Sequence, residues 1–375
     1  MDASALRGLE GEWRALAESR GNAFLTPEWF FSWHRHYGDR AEPAVTALRD
    51  RDGRLSGVLP LTISTSGRPR AVQFAASGLG DHFHPASPPA LESMVASAAG
   101  RALFGHPRRW STIVLENVDV GSGWWRALTD SSPVRLSSGS HARSVLPYAR
   151  IAGCSWDEYL AARSRGFRSQ LRRKMRALED DHDVAFRRTD RAADVASDLS
   201  TLFRLHDARW AARPGVSSLS GDRPRAFHSD FAAAAFERGW LRLWFLNVDG
   251  VPVAAWYGWR IGERCAYYQA GLDPAFASYS VGFLLMAQAI KAAIEEGAGE
   301  FDMLLGDEAF KSRFADHRRE VRTIVITRAR HPARLLAASE RALRHTARRM
   351  PERLRGPARR AARRFTRRLP GARRR

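Results

Sequence analysis

In the segment EFDMLLGDEAFKSRF, residues 300–314, two side chains stand where they can act on a substrate. Asp302 lies between Phe301 and Met303 in a short expected strand, so its carboxylate points away from its apolar neighbours. Gly306-Asp307-Glu308 makes a turn, after which Lys311 and Phe314 share one face of a helical segment expected over 308–315. A strand-end aspartate with a lysine folded back toward it can orient an amine, stabilise an oxyanion or guide a proton. The same two residues serve equally well as a structural ion pair.

Upstream, residues 265–297 pass from a strand through a polar Gly/Pro loop into a long apolar helix. Tyr267 and Tyr268 sit in that strand; the one facing a cleft, with Tyr268 as the candidate, can hydrogen-bond an acyl carbonyl or donate to a leaving sulfur. Alternation alone does not decide which of the two it is. Ser278, Ser280 and Gly282 stand at the helix entrance, where small residues let a phosphate approach backbone N–H groups whose partial charge favours anions. Ser280 can instead simply cap the helix.

A helix expected over 198–210 carries His206, Asp207, Arg209 and Trp210, with His206 and Trp210 four apart on one face, suited to the wall of an acceptor pocket or to a core. In GFRSQLRRKMRALEDD, Phe167, Leu171, Met175 and Leu178 form an apolar stripe beside Arg165, Arg168, Arg172 and Arg176. Those guanidinium groups can receive a phosphate, a carboxylated substrate or tRNA, or can stand as a solvated face paired with Glu179 and Asp180. Other chemistries find little support. The serines lack a G-x-S-x-G elbow, and His82 and His84 in DHFHP have no H-E-x-x-H helix, so no metal is expected. Two cysteines, Cys154 and Cys265, exclude a disulfide-framed secreted scaffold.

The elements that must hold these residues occur twice along the 375-residue chain. Helices over 5–18 and 27–37, the latter with Thr26 as N-cap and Pro27 in its first turn, precede strands near 43–49 and 55–61 around an Asp-Gly turn. A strand near 70–76, the Gly/Pro/His-rich loop SGLGDHFHPASPP, a helix near 90–103 and a strand over 110–115 follow. The second half repeats the order with helices over 198–210 and 225–238, a hairpin turning at Asp249-Gly250, a strand over 264–270, a helix over 281–296, and strands over 300–305 and 321–327. A degenerate internal duplication of an α/β mixed-sheet unit is expected, with domains over 1–150 and 151–330.

The net charge of +20 is unevenly spread. Residues 331–375 hold 16 arginines and two glutamates, a net of +14, while the preceding 330 residues carry only +6. The body is nearly balanced, so its site is not to be inferred from the whole-chain charge. An Arg-rich tail, helical or disordered, is expected to attract an anionic membrane surface, or tRNA, or merely to aid solubility. The start lacks an apolar run of signal-peptide length, and no stretch has the length of a membrane span. A cytoplasmic chain is expected, with the inner face of the membrane as a place of peripheral docking.

The stretches RSRGFRSQLRRKMRALE, LFRLHDARW and 240–314 together resemble the GNAT superfamily of acyl-CoA-dependent N-acyltransferases, in its BioF2-like or CelD-type branch related to the FemAB aminoacyltransferases. The resemblance covers roughly Cys154 to Thr327, with a looser match around FLTPEWFFSWHRHYGD. It implies tandem GNAT-like domains, a splayed sheet that admits a phosphopantetheine arm, and a pyrophosphate site at Ser278, Ser280, Val281, Gly282 and Phe283. The family pattern falls on Phe301, Asp302, Gly306, Asp307 and Lys311. With the residues read above, Asp302, Lys311 and Tyr268 are the catalytic candidates and Arg168, Arg172, His206, Trp210 and Asp307 the substrate-binding ones. The family's fuller glycine-rich signature is reduced to SYSVG. The implied activity is transfer of an acyl group, acetyl among them, from acyl-CoA or acetyl-CoA to an amine on a small molecule, polysaccharide precursor or cell-envelope intermediate. FemAB-like transfer from aminoacyl-tRNA and a noncatalytic role in exopolysaccharide biosynthesis are the alternatives.

Overall fold

The structure, a computed structural model, describes residues 3–65, 70–106, 109–130, 132, 136–211 and 219–328. The Arg-rich tail of residues 331–375 lies outside the described residues. The first half runs α1 (Ala3–Arg7), α2 (Glu10–Ser19), α3 (Pro27–Tyr37), β1 (Ala41–Arg49), β2 (Leu55–Ser64), β3 (Ala71–Phe74), α4 (Glu92–Gly105), β4 (Thr112–Asp119), α5 (Trp124–Asp130) and β5 (Leu136–Arg150). The second runs α6 (Trp156–Ala161), α7 (Arg165–Asp181), β6 (Val184–Arg188), α8 (Val195–Ala211), α9 (Asp222–Glu237), β7 (Leu241–Val248), β8 (Val251–Ile261), β9 (Arg264–Leu272), α10 (Val281–Glu295), β10 (Glu300–Asp302), α11 (Lys311–Phe314) and β11 (His317–Arg328).

Local chemistry explains why these elements begin and end where they do. Thr26 accepts a hydrogen bond from the Trp29 N–H at 3.2 Å, and Pro27 occupies the first position of α3, where its missing N–H costs nothing. Ser164 caps α7 in the same way through the Phe167 N–H. Asp249 and Gly250 both have positive φ, 50° and 80°, as the two-residue turn between β7 and β8 demands.

The duplication is visible in the connectivity. In each half a helix pair and an antiparallel hairpin lead to a strand, a loop, a helix and a further strand, and that last strand runs parallel to the one before the helix. Both parallel pairings, β3 with β4 and β9 with β10, extend over three residues. The strands join into one mixed sheet in the order β1-β2-β3-β4-β11-β5-β10-β9-β8-β7-β6. The last described strand, β11, lies between β4 and β5, so a strand from beyond β10 completes the sheet of the first half, and β5 pairs with β10 of the second.

The sheet separates two apolar layers near its second-half end. On one face α10 and α7 cover Trp256, Cys265, Tyr267 and Phe301. On the other, α8, α9 and α3 cover Tyr257, Trp259 and Tyr268, with Trp29 edge-on to Trp259 and Tyr268 at 5.8 and 5.9 Å between ring centroids. These aromatic contacts join the first half to the second through buried surface.

Candidate functional site

The parallel pair β9–β10 matches Arg264–Ala266 with Glu300–Asp302 and then parts. Tyr267 to Leu272 continue without β10 beside them, and α10 begins at the resulting gap. A cavity of about 260 Å³ fills it, walled by Trp256, Tyr267, Leu272, Leu285, Met286 and Phe314. Ser280, Val281, Gly282 and Phe283 also line this cavity. Ser280 adopts a left-handed conformation (φ 60°, ψ 44°), and its side chain makes no cap hydrogen bond. Its carbonyl accepts the Phe283 N–H at 2.8 Å, while the helix start keeps the partial positive charge of an uncapped first turn. The hydroxyl cap open as an alternative at Ser280 is therefore not formed. Gly282 lies against the cavity wall, since a Cβ there would sit 3.3 Å from Leu272 Cδ2. Ser278 contributes its carbonyl to Lys174 Nζ of α7, and the Arg313 guanidinium lies 5.0 Å over the Phe283 ring, so cations flank the entrance.

A bulge decides between the two tyrosines. Gly258 pairs with Tyr267 and Tyr257 with Gln269, leaving Tyr268 as the extra residue in β9. Tyr267 lines the cavity and bonds Arg209, a cavity-lining residue of α8; burial raises its hydroxyl pKa. Tyr268 faces the opposite layer and donates its hydroxyl to the Leu79 carbonyl at 2.9 Å. The candidate Tyr268 is therefore replaced at the cleft by Tyr267, because the bulge interrupts the alternation on which a sequence reading depends.

Asp302 and Lys311 do not meet. Asp302 is 1 % exposed; its Oδ1 accepts the Leu304 N–H at 2.8 Å and its Oδ2 lies 3.3 Å from Arg319 Nη1. Burial raises its pKa, with Arg264 and Arg319 pulling the other way. Lys311, 5 % exposed, donates to the Leu305 carbonyl at 2.7 Å and lies 3.1 Å from Glu308. The turn carries both groups but gives each its own partner. Between them stands a residue that sequence reasoning missed, Asp81 of the β3–α4 loop. Its Oδ2 accepts the Leu305 N–H at 3.3 Å, Lys311 and Asp302 both act on its charge, and the protein packed round it pushes its pKa up to about 6. The loop SGLGDHFHPASPP was the only signal, and nothing local tied it to residues more than 200 positions later.

The other candidates take varied places. His206 is buried where α8 crosses β9 so closely that a Cβ on Gly271 would lie 2.5 Å from the His206 backbone nitrogen; burial lowers its pKa to about 4. Trp210 packs beside it at 6.0 Å between ring centroids. Of this turn it is Arg209 that lines the cavity, because His206 points into the sheet. Arg168 turns back to donate to the carbonyls of Leu160, Ala161 and Arg163, closing the end of α6, so its guanidinium is a cap for orphan carbonyls. Arg172 is exposed and, with Arg173 and Arg176, lines a shallow groove on α7. Asp307 is exposed at the turn. Among the described residues, no group of three or more His, Cys, Asp or Glu is placed to hold a metal, and no helix is long and apolar enough to cross a membrane.

Residues 165–312 match the family model of an acetyltransferase (GNAT) domain. No curated protein matches the chain by sequence. The fold is similar to a crystal structure of FemX, with a TM-score of 0.64 and 14% identity over 87% of this chain and 98% of that one. It is also similar to the C-terminal domain of a protein assigned as a lysylphosphatidylglycerol synthetase from Agrobacterium fabrum, with TM-score 0.57, 11% identity and coverage of 90% and 95%. L-PGS from Bacillus licheniformis gives TM-score 0.54 at 11% identity, with the same 90% and 95% coverage. The parted strands and the uncapped helix between them lie within residues 165–312, the stretch that matches the acetyltransferase (GNAT) domain, and the chain around it has a fold like that of FemX.

Proposed function

We propose that the chain transfers an acyl group from acyl-CoA to an amine. The observation that carries this reading is the β9–β10 gap, apolar within and opening at the uncapped start of α10. A thioester arm suits the apolar cavity, and the phosphates of the donor suit the amides of Val281 and Gly282, with Lys174 and Arg313 alongside. The acceptor amine must attack as the free base. Its nitrogen bonds the thioester carbonyl carbon, the C–S bond breaks, and the nitrogen loses a proton to the Asp81 carboxylate directly or through water. Arg209 and Tyr267 are the nearby donors for the developing oxyanion and the leaving sulfur. Lys311 holds the 305 carbonyl and offsets part of the cost of burying the Asp81 charge, while Asp302 fixes the turn through Leu304 and Arg319.

The arginine groove on α7 favours a second reading, transfer from aminoacyl-tRNA. Arg172, Arg173 and Arg176 lie on the same helix as Lys174, which touches the loop before α10. An amine on a polysaccharide or cell-envelope precursor is the acceptor class under either reading, with the basic tail drawing the chain to an anionic surface. Native mass spectrometry of freshly purified protein, followed by transfer assays with acyl-CoAs and charged tRNA, separates the two. A bound CoA species and CoA-dependent transfer support the first; transfer from charged tRNA alone supports the second and overturns the first.

A further inference from the structure

The first half builds a second cavity, of about 330 Å³, from the counterparts of the elements around the donor cleft. The end of α2 supplies Arg20, the β3–α4 loop supplies His82 and His84, the first turn of α4 supplies Glu92, and the last residue of β4 supplies Asp119. These correspond to the end of α8, the β9–α10 loop, the first turn of α10 and the end of β10. Arg264 of β9 and Arg319 of β11 close the wall from the second half.

The chemistry differs from that of its counterpart. Where α10 begins with Val281 and Gly282, α4 begins with the buried carboxylate of Glu92, paired with Arg20 at 2.7 Å. That carboxylate already occupies the positive end of the helix and repels a phosphate. This cavity is therefore not a second donor site. Its polar groups carry both signs and are not all used. The Arg264 guanidinium is ion-paired with Glu300, 3.0 Å from Nε without a hydrogen bond, and Arg20 gives one Nη to Glu92, so each guanidinium keeps further N–H donors. Asp119 spends Oδ1 on the Gly121 N–H. His84 is settled, with Nδ1 2.9 Å from the Pro85 carbonyl and Nε2 3.4 Å from Asn22 Nδ2. His82 is not: it is 8 % exposed, its ring lines the cavity, and its Nδ1 has no hydrogen-bond partner. A buried imidazole with an unpartnered nitrogen, in the wall of a cavity that offers both donors and acceptors, marks a place for a ligand.

We propose that this cavity binds a small zwitterion of the free α-amino acid class, its carboxylate received by Arg20 and Arg264 and its ammonium by Asp119 and the His82 imidazole. A carboxylate alone leaves Asp119 and His82 unanswered, and an amine alone meets the guanidinium groups of Arg20, Arg264 and Arg319. The site acts independently of the donor, so it is testable without any acyl-CoA.

Isothermal titration and thermal shift of the full chain with each free L-amino acid provide the test, each compared with the matching carboxylic acid that lacks the amine and the amine that lacks the carboxylate. At least one amino acid is expected to bind one-to-one and raise the melting temperature, with each half-molecule weaker by roughly tenfold or more. His82→Phe, which fills the cavity, and Arg20→Gln, which removes a charge, are each expected to weaken binding by roughly tenfold with cooperative unfolding retained. Should Arg20→Gln fail to fold, His82→Phe carries the comparison. Absence of binding by every amino acid overturns the proposal, as does binding of the half-molecules as tight as that of the whole, or unchanged affinity in His82→Phe.

Discussion

Asp81 has the properties required of the proton acceptor and Asp302 those of a strut. Asp81 keeps one side toward solvent, touches the Leu305 N–H and titrates near pH 6, while Asp302 is enclosed and committed to Leu304 and Arg319. The raised pKa of Asp81 means that the folded state holds its proton more tightly than the unfolded one, whose carboxylate titrates near 4. Its contribution to stability therefore falls as pH rises from about 4 through 6, and at neutral pH the ionised group is a burden that Asp81→Asn removes. Asp81→Asn is expected to melt no lower than the parent at pH 7 yet transfer acyl groups at least about tenfold more slowly, and to lose the ascending limb near pH 6 in kcat/KM. Asp302→Asn is expected to lower melting temperature and transfer together, since it weakens the bond between the enclosed carboxylate and the half-buried Arg319. Stopped-flow transfer and calorimetry on both variants check this; a stable, fully active Asp81→Asn excludes the role. Residue types alone pointed to Asp302 and Lys311. They could not show that a loop from the first half places a third group between them, because that contact is made only by tertiary packing.

At the scale of elements, amphipathic periodicity and turn chemistry made α3, α7, the β7–β8 hairpin and α10 readable from sequence. The parts that escaped lack those signals. In β5, LSSGSHARSVLPYAR has no apolar alternation over its first half, and it is a strand because β11 and β10 pair with it. The β9 bulge is likewise set by pairing, and it transfers the cleft-facing role from Tyr268 to Tyr267. The crossing of α8 over β9 depends on a missing side chain. Gly271→Ala would put a methyl group 2.5 Å from the His206 nitrogen and 2.7 Å from Leu205 Cβ, forcing helix and strand apart. A loss of roughly 1–3 kcal/mol in urea unfolding is expected, with transfer reduced because Arg209 rides on the same helix.

For the whole molecule, the continuous sheet makes the two halves interdependent, a feature that a linear division at residue 150 does not convey. A chain ending after Asp316 loses β11 and leaves β4 and β5 unpaired along facing edges, so cooperative unfolding of the entire body is expected to disappear. A chain ending after Arg330 keeps β11 and is expected to unfold cooperatively while binding anionic vesicles less. Differential scanning calorimetry and vesicle sedimentation of the two truncations report on this directly. Acid should also act on the body as a unit. Burial holds His84 and His228 down to about pKa 3 and His206 to about 4, whereas the unfolded side chains take up protons near 6.5. The unfolded state thus binds more protons below about pH 6.5, and stability from these groups falls as pH drops through that window toward 4 and 3. A melting temperature that stays level between pH 6.5 and 4.5 contradicts this.

The central claim is that the acyl donor enters the β9–β10 gap with its phosphates at the start of α10. Calorimetric affinity for acyl-CoA in the parent and in Gly282→Asp tests it most directly, because the new carboxylate stands beside the proposed phosphates while the first turn of a helix tolerates aspartate. Affinity is expected to fall by at least about tenfold with the circular-dichroism spectrum unchanged. Equal affinity for acyl-CoA in the two proteins contradicts the account.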